Sequence, residues 1–445
     1  MAGVWVFKPF LPLMERQTYA GDTMTRAHSN LWTANHSDIF GPVEHALTAD
    51  VAVIGGGFTG CSAALEAARL GAEVVLLEAK TVAHGGSGRN VGLVNAGLWL
   101  PPKEVEARLG QTAGSKLTAA LAGAPDLVFD IIQRESIACN ATRNGTLHLA
   151  HGPSGVKDLE SRQTQYQAQS FPTELLSAED TKARTGSDAF FGAIWDPRAG
   201  TIQPGDYCFG LAKAAQAAGA RVFTQSPVFS AKQVKGEWEL TVGGHQLHAK
   251  HLIVATNAYT EHLPRETSAD FVTVHYCQFA TAPMPQDLQA RIFPGKEGTW
   301  DTAKVMTSYR VDDAGRFIIG GMGEFGGMYS GIHHDWAKRK MAKVFPELAN
   351  FEFEHQWNGR IAMTKDYLPK LVNFAPSGWS VFGYSGRGIG PGTLMGTRLA
   401  QAILKDQPDL LPLPVLTSYS NNHLPLSEAY YNFGTAMVHA TSARV

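Results

Sequence analysis

The sequence predicts an α/β fold in which a parallel βαβ domain is interleaved with an α+β domain built on a mainly antiparallel sheet. Strand and helix patterns of the βαβ kind occur at three separated places, around residues 49–77, 204–255 and 379–404. Short alternating strands are inserted between them. At 445 residues the chain exceeds one small core, so two domains are expected.

The elements follow in order. Ala49–Ile54 is an apolar run that reads as a buried strand. Phe58–Leu70 reads as a helix of small and apolar residues, with Gly71 at its C-terminal end. Glu73–Leu77 is the next strand, and the short β-α-β unit implies a parallel pair with a right-handed crossover. Pro102–Ile132 reads as mostly helical. ACNATRNGTLHLAH reads as two short strands about an Asn144–Gly145 turn. Helical stretches follow near Val156–Gln169 and Ala178–Thr185, then a helix from Pro204 to Ala218 stopped by Gly219. Strand Arg221–Thr224, a meander of Phe229–Val234 with Trp238–Val242, and the apolar strand His248–Ala255 come next. From Phe271 to Gly320 the pattern is that of an antiparallel sheet, with DDAGRF as a hairpin turn. Asp335–Phe345 is helical, and Trp379–Tyr384 is a short strand. It breaks into GYSGRGIGPGT, after which a helix is expected from about Thr393 to Leu404.

Composition narrows the function classes. With 44% hydrophobic and 18% charged residues the chain is globular, and 46 glycines imply many tight turns or close backbone approaches to a ligand. A net charge of −2 argues against nucleic acid or an anionic membrane surface as partner. Cys61, Cys139, Cys208 and Cys277 are scattered without a CxxC pair, so free thiols in a reducing cytoplasm are expected. In the opening MAGVWVFKPFLPLMERQ the apolar stretch is broken by Lys8, Pro9 and Pro12, with no basic region ahead of it and no clear cleavage site. It does not read as a signal peptide. Met14 and Met24 both precede ordinary soluble sequence, and a start at one of them is expected. No segment approaches the ~18 apolar residues of a membrane span.

VAVIGGGFTGCSAALEAARLGAEVVLLEAK carries the first chemical signal. Gly55, Gly57 and Gly60 lie between strand and helix in the pattern G-x-G-x-x-G. The first glycine permits the tight turn, the second lets a pyrophosphate approach the backbone, and the third lets helix and strand pack closely. The helix N-terminus offers N–H groups and partial positive charge to the phosphates. Glu78, 18 residues after Gly60, stands where an acid hydrogen-bonds ribose hydroxyls and repels a 2′-phosphate. A Rossmann-like dinucleotide-binding domain, without preference for NADP, follows from this context.

Two further glycine loops bear on which dinucleotide. HGGSGRNVGLVNAG follows soon after Glu78, and a simple NAD domain needs no second polar glycine loop there. GYSGRGIGPGT opens a late helix whose N-terminus suits the flavin N1–O2 edge, where negative charge accumulates on reduction. HLIVATNAYT ends a strand in small polar residues that suit a backbone lying against pyrophosphate. Three loops from three distant segments favour FAD, which is long and meets a second domain. The alternatives are an NAD-dependent dehydrogenase and a flavin-binding subunit without catalysis of its own. The expected FAD-binding domain is 47–105 with 203–262 and 356–410. The substrate domain is 106–202 with 263–355, flanked by an arm at 1–46 and a tail at 411–445.

VAVIGGGFTG, LLEAK, GGSGRNVG, GTIQPGDY, IVATNAYT, WNGRIAMTKDYLPKL and GYSGRGIGPGT together resemble the D-amino-acid oxidase, glycine oxidase and sarcosine oxidase superfamily of FAD-dependent amine oxidoreductases. Within it the chain looks most like the gamma-glutamylputrescine oxidoreductase branch. The resemblance spans about residues 30 to 405 and is more specific for the superfamily than for a substrate. It implies cofactor contacts from Gly55, Gly57, Gly60 and Glu78, from the loop Ser87, Gly88, Arg89 and Asn90, and from the backbone near Val228. It also implies Ala255, Thr256 and Asn257, and the late loop Gly386, Arg387, Gly388, Ile389 and Gly390. Relatives that link flavin to cysteine carry it just upstream of the threonine–aspartate pair matched by Thr364 and Asp366, and WNGRIAMTKD has none. Histidine-linked relatives use the glycine loop, where His84 stands several positions early. Non-covalent FAD is therefore expected.

The implied activity is oxidation of a small secondary amine or amino acid, with oxygen or an electron-transfer partner taking the electrons. A D-amino-acid or glycine-type deaminating oxidase or dehydrogenase is the neighbouring alternative. Hydride leaves the carbon next to an unprotonated nitrogen for flavin N5, and the imine then hydrolyses to an aldehyde or keto acid and an amine. Candidate substrate contacts are His275–Tyr276, Tyr309–Arg310, Trp357–Arg360 and Arg387. Arg360 is the expected carboxylate clamp, since arginine binds carboxylate through two parallel N–H bonds. The competing reading pairs it with Asp366 or Glu354. His275 would favour amine deprotonation, or is a satisfied sheet histidine. Arg89 and Arg387 would stabilise reduced flavin, or fix loop geometry. His333–His334–Asp335 is not read as a metal site, because adjacent histidines point apart. Trp195, Trp300, Trp357 and Trp379 are read mainly as packing rather than as an ammonium cage.

Overall fold

The computed structural model describes residues 30–32, 39–261, 263, 270–325, 329–421 and 424–442. The leader and start-site expectations, and most of the arm 1–46, lie outside the described residues.

Two large sheets organise the chain. The first has nine strands, with Val415–Leu416, Lys370–Ala375, Gly378–Phe382, His245–Val254, Leu47–Ile54, Val74–Leu77 and Arg221–Phe223 side by side in that order. Its centre is parallel: Leu47–Ile54 pairs with His245–Val254 on one side and Val74–Leu77 on the other. The centre is apolar on both faces, as a sheet covered on both sides requires. Val51 and Val53 pack into the helix-covered cluster, while Ala52 and Ile54 pack beneath the meander with Trp238 and Leu240. That meander, Val228–Val234 with Glu237–Val242, forms as its alternation predicts.

Small residues let the helices approach closely. Phe58–Arg69 is almost wholly buried against Ile389–Lys405. A Cβ on Gly396 would strike the Thr59 carbonyl, and one on Gly392 would lie 3.0 Å from Thr59 Oγ1.

The second sheet has eight strands in the order Phe353–Met363, Val272–Pro283, Arg316–Met322, Thr307–Val311, Gly298–Asp301, Thr146–Leu149, Ala193–Asp196, Glu174–Leu176. It is antiparallel except where Gly298–Asp301 meets Thr146–Leu149. Asp312–Gly315 makes the predicted hairpin turn, Asp312 N–H donating to the Arg316 carbonyl at 3.1 Å.

Several expectations need correction. No hairpin forms about Asn144–Gly145. Gly145 does adopt φ +86°, but Thr142 bridges Thr201, and Thr146–Leu149 pairs with strands far along the chain. A turn signal is local, whereas the partner of a strand is a tertiary choice. The late helix begins at Ile389, not Thr393, because glycines and a proline in its first turn hide the helical pattern. The helix expected at Asp335 begins at Ser330. Strand Phe353–Met363 belongs to the eight-stranded sheet, although 356–410 was expected in the FAD-binding domain. Helices Gln111–Ala122 and Ala124–Arg134, expected in the substrate domain, send Leu117, Leu121, Val128 and Ile131 into the core of the nine-stranded sheet.

The tail forms a helix, Leu424–Thr441, that docks on the eight-stranded sheet and on the helix Ser330–Val344. Glu428 accepts the Thr273 amide at 2.9 Å, and Arg339 donates to the His439 carbonyl at 2.7 Å. Buried His333 and His439 meet Nδ1 to Nδ1 at 2.8 Å, and the His439 ring lies flat on Trp336 at 3.8 Å. His334 faces Asp335 instead, at 3.7 Å, so the adjacent histidines do point apart.

Candidate functional site

The C-terminal ends of the parallel strands converge on one cavity of about 520 Å³, which continues to the face of the eight-stranded sheet. Gly55 sits at φ +112°, a conformation suited to glycine, and a Cβ there would lie 2.9 Å from the Ala255 carbonyl. A Cβ on Gly57 would fall 2.8 Å from Ser87 Oγ. Gly60 lies outside the cavity lining, and a Cβ on it would collide with the Gly55 carbonyl, so its task is helix–strand packing.

Glu78 ends the second strand with both oxygens engaged: Oε2 accepts the Gly56 amide at 2.7 Å and Oε1 the Lys80 amide at 2.9 Å. Burial pushes its carboxyl up, against the pull of those amides. Val228, buried at the start of the meander, closes this end.

The second glycine loop is braced into one shape. Asn90 donates to the carbonyls of Gly86 at 3.0 Å and Ser87 at 2.9 Å, and accepts the Gly92 amide at 2.8 Å. Ser87 Oγ accepts the Phe58 amide at 3.0 Å, tying this loop to the first helix. Arg89 donates to the His84 carbonyl at 2.7 Å and the Asn358 carbonyl at 3.3 Å, linking the loop to the second sheet. Trp357 returns the link, its indole N–H donating to the Arg89 carbonyl at 3.1 Å. His84 lines the cavity, and its pKa is pushed down by burial and by Arg89 and other cations, so it is neutral.

The third loop enters from the other side. Asn257 Oδ1 accepts the Gly383 amide at 2.9 Å, and Thr256 shares a 2.6 Å hydroxyl contact with Thr260. Gly386 takes φ +94°. The helix starting at Ile389 has Gly388 as its cap residue, with no side chain to satisfy first-turn amides, and a Cβ on Gly388 would meet open space. Gly386, Arg387, Gly388, Ile389 and Gly390 all line the cavity.

The far wall separates the substrate candidates. Along Val272–Pro283, Val274, Tyr276 and Gln278 face the cavity. His275 therefore points to the opposite face, 3.6 Å from Glu324, and does not reach the site. Tyr309 is also excluded. It is fully buried in the second core, its hydroxyl donating to Asp301 at 3.3 Å. Arg310 is buried too and donates to the carbonyls of Val91 and Ile202 at 2.9 and 2.7 Å. Arg360 does reach the rim, but with neither anticipated acid. Its guanidinium lies 4.4 Å from the Tyr259 ring and 3.4 Å from Glu261.

Arg387 points toward the second sheet, in the angle between Trp99 and Trp300, at 4.9 and 4.8 Å from their rings. Tyr259, Trp99 and Gln278 are site residues the sequence reading missed. Strand alternation through Val274 would have found Gln278.

A dinucleotide fits this cradle: a glycine turn that tolerates no Cβ, an acid fixed at the end of the second strand, and two helix N-termini facing one cavity. The chain belongs to the FAD dependent oxidoreductase family known as DAO, whose model matches residues 50–402. FAD is thus the cofactor, and the NAD alternative falls.

More particular likenesses follow. The chain is 30% identical over 376 residues to the probable oxidoreductase OrdL of Haemophilus influenzae, covering 82% of this chain and 85% of that one. It is 28% identical over 380 residues to the gamma-glutamylputrescine oxidoreductase of Escherichia coli, covering 84% and 88%. Among solved structures, glycine oxidase from Geobacillus kaustophilus superposes with a TM-score of 0.66 at 19% identity, covering 87% of this chain and 98% of that one. Among the described residues, no helix is long and apolar enough to cross a membrane.

Proposed function

We propose that the protein oxidises a small secondary amine or amino acid at the carbon next to nitrogen, with FAD held non-covalently. The observation that carries this is the continuity of one cavity from the glycine fingerprint and Glu78 to a wall of Tyr276, Gln278 and Trp300 on the second sheet. The likeness to a gamma-glutamylputrescine oxidoreductase and to a glycine oxidase supports the amine class. No cysteine stands near Thr364 to anchor the flavin, which supports non-covalent binding. Four buried thiols without a disulfide support a reducing compartment such as the cytoplasm.

Bound FAD supplies the hydride acceptor. The chain supplies orientation and field. Gly55, Gly57 and the first-turn amides would hold the diphosphate, and Glu78 the ribose hydroxyls. Thr256, Asn257 and the Ile389 helix N-terminus would steady the remaining length. Tyr276 donates to Ser308 Oγ at 3.0 Å, and burial raises its pKa, so it stays a neutral, oriented hydroxyl. Of the cations lining the cavity, Arg360 is paired with Glu261, which lines it too, while Lys304 and Arg387 have no ion pair among the described residues. Cations nearby lower the pKa of a substrate ammonium, which favours the free amine that oxidation requires.

The test is direct. Purified protein should be yellow, acid precipitation should release the flavin, and an anaerobic secondary amine or amino acid should bleach the band near ~450 nm. Yellow protein that no amine or amino acid reduces would leave a flavin-binding subunit as the better reading.

A further inference from the structure

We propose that Tyr431 is a specificity-determining residue: with Tyr367 it forms a gate at an opening of the cavity, and the C-terminal helix thereby decides how large an amine enters. That the guest is an amine rests on the amine-oxidising reading above, which the gate deepens.

The family model ends at residue 402, and the helix Leu424–Thr441 lies beyond it. Yet Tyr431 lines the same cavity as the glycine fingerprint, together with Tyr367. The wall of the site is thus completed by a segment outside the family-matched region. The two hydroxyls meet at 3.1 Å. Tyr367 is 36% exposed, so the contact stands where the cavity reaches the surface.

The two sides of the contact are anchored on different bodies. Tyr367 sits in the turn that carries the chain from the eight-stranded sheet, left at Met363, to the nine-stranded sheet, joined at Lys370. Its φ is +59°, a costly conformation for a bulky residue that persists only where the surroundings hold it. They do so here. Its amide donates to the Thr364 carbonyl at 3.1 Å, Arg108 donates to the Asp366 carbonyl at 2.7 Å, and Lys370 pairs with Asp366 at 2.5 Å. Tyr431 instead rides on the tail helix, about one turn after the Glu428 contact with Thr273. A single hydroxyl pair at the surface exchanges with water at little net cost, so a braced turn and a docked helix part easily at this point. Burial and the Tyr367 hydroxyl raise the Tyr431 pKa, so the pair stays neutral and opens without a change of charge.

The apolar lining of the same cavity is adaptable. Val274, Met322 and Met363 contribute to it, and Met322 lies opposite Tyr276 on one face of the sheet. Unbranched methionines accommodate guests of different shape. Size is therefore screened at the tyrosine pair, where one side is fixed, rather than at these side chains.

The test uses the FAD-loaded full-length protein and two readouts. Anaerobic flavin reduction is followed with N-methylglycine and with the bulkier N-benzylglycine. Independently of turnover, Met322→Cys places a thiol on the cavity wall, and its labelling is followed with N-ethylmaleimide and with N-pyrenylmaleimide. The four native thiols are buried and contribute little. Tyr431→Ala should raise the N-benzylglycine to N-methylglycine rate ratio about tenfold, and in the Met322→Cys background the pyrenyl to ethyl labelling ratio by about as much. Tyr431→Phe keeps the ring and loses the hydroxyl contact, and should speed labelling by the large probe about two- to fivefold. Phe433→Ala, at an exposed position of the same helix, should change neither ratio.

A labelling ratio that Tyr431→Ala and Tyr431→Phe both leave unmoved would overturn the proposal. So would a shift of the same size from Phe433→Ala, which would mark general loosening of the helix. If the labelling ratio moves but no amine reduces the flavin, the amine-oxidising reading fails and the gate stands. If amines reduce the flavin and the ratio is unmoved, the gate fails and that reading stands.

Discussion

The Tyr259 hydroxyl accepts the Arg360 amide proton at 2.8 Å while the Arg360 guanidinium lies 4.4 Å from the same ring. Tyr259 belongs to a short turn at the end of the strand His245–Val254, and Arg360 to the edge strand of the other sheet. A Cβ on Gly85 would lie 3.0 Å from the ring, so the tyrosine also packs on the second glycine loop. One side chain thus joins both sheets and a cofactor loop.

Removing that joint should be felt in cofactor retention. Tyr259→Phe keeps the ring and loses one hydrogen bond, about 1 kcal/mol. Tyr259→Ala also loses the packing and the cation–π contact, and should release flavin several-fold more readily. Flavin content after gel filtration measures both.

Gly60→Ala should abolish flavin binding. The added methyl meets the Gly55 carbonyl, a backbone atom that cannot yield without moving the phosphate turn. Overpacking of this kind costs about 1–3 kcal/mol or more. The absorbance ratio of flavin to protein, with a thermal melt, checks it.

Tyr309→Phe should leave amine oxidation unchanged. The hydroxyl touches Asp301, which keeps the Thr307 amide at 3.0 Å and Lys340 at 3.1 Å as partners. The expected cost is about 1 kcal/mol of stability, a melting shift of about 2 °C or less. Turnover loss without a stability change would return Tyr309 to the site.

Acid should loosen the C-terminal helix. Burial holds His333 down to about 4 and His439 down to about 3. Both titrate lower than in the unfolded chain. Their contribution is therefore complete above about pH 6.5 and is lost as pH falls toward about 4. Arg339 and Lys340 face His439 from the partner helix and oppose any added charge. Lys340 also pairs with Asp301, which partly offsets its field. Hydrogen exchange across Leu424–Thr441 should lose about tenfold or more protection between pH 7 and 5. His439→Phe, which can still stack on Trp336, should flatten that dependence.

The residues expected to hold the cofactor meet at one cavity because their signals are local. Gly55, Gly57, Glu78, Ser87 and Asn90 lie within one βαβ unit and the loop after it, where spacing alone implies geometry. The substrate half was not legible in the sequence, because it depends on which face of a strand turns inward and on which strands meet. His275 and Tyr309 were the right residue types on the right sheet, and each points away from the cavity. Arg387 was found as part of a glycine loop, but its two tryptophan neighbours come from residues 99 and 300, a meeting that no short motif encodes.

The central parallel pairing of residues 47–54 with 245–254, completed by a helix ending at 405, also bears on how the protein is made. A nascent chain emerging from the ribosome holds its glycine fingerprint ready long before the strands and helix that complete the pocket exist. Cofactor capture must wait for nearly the whole polypeptide, and pairings so distant along the chain are slow to form. Flavin supply during expression should therefore govern yield through the final, post-synthetic stage of assembly, and a fragment stopped before residue 389 should be held by chaperones rather than by FAD.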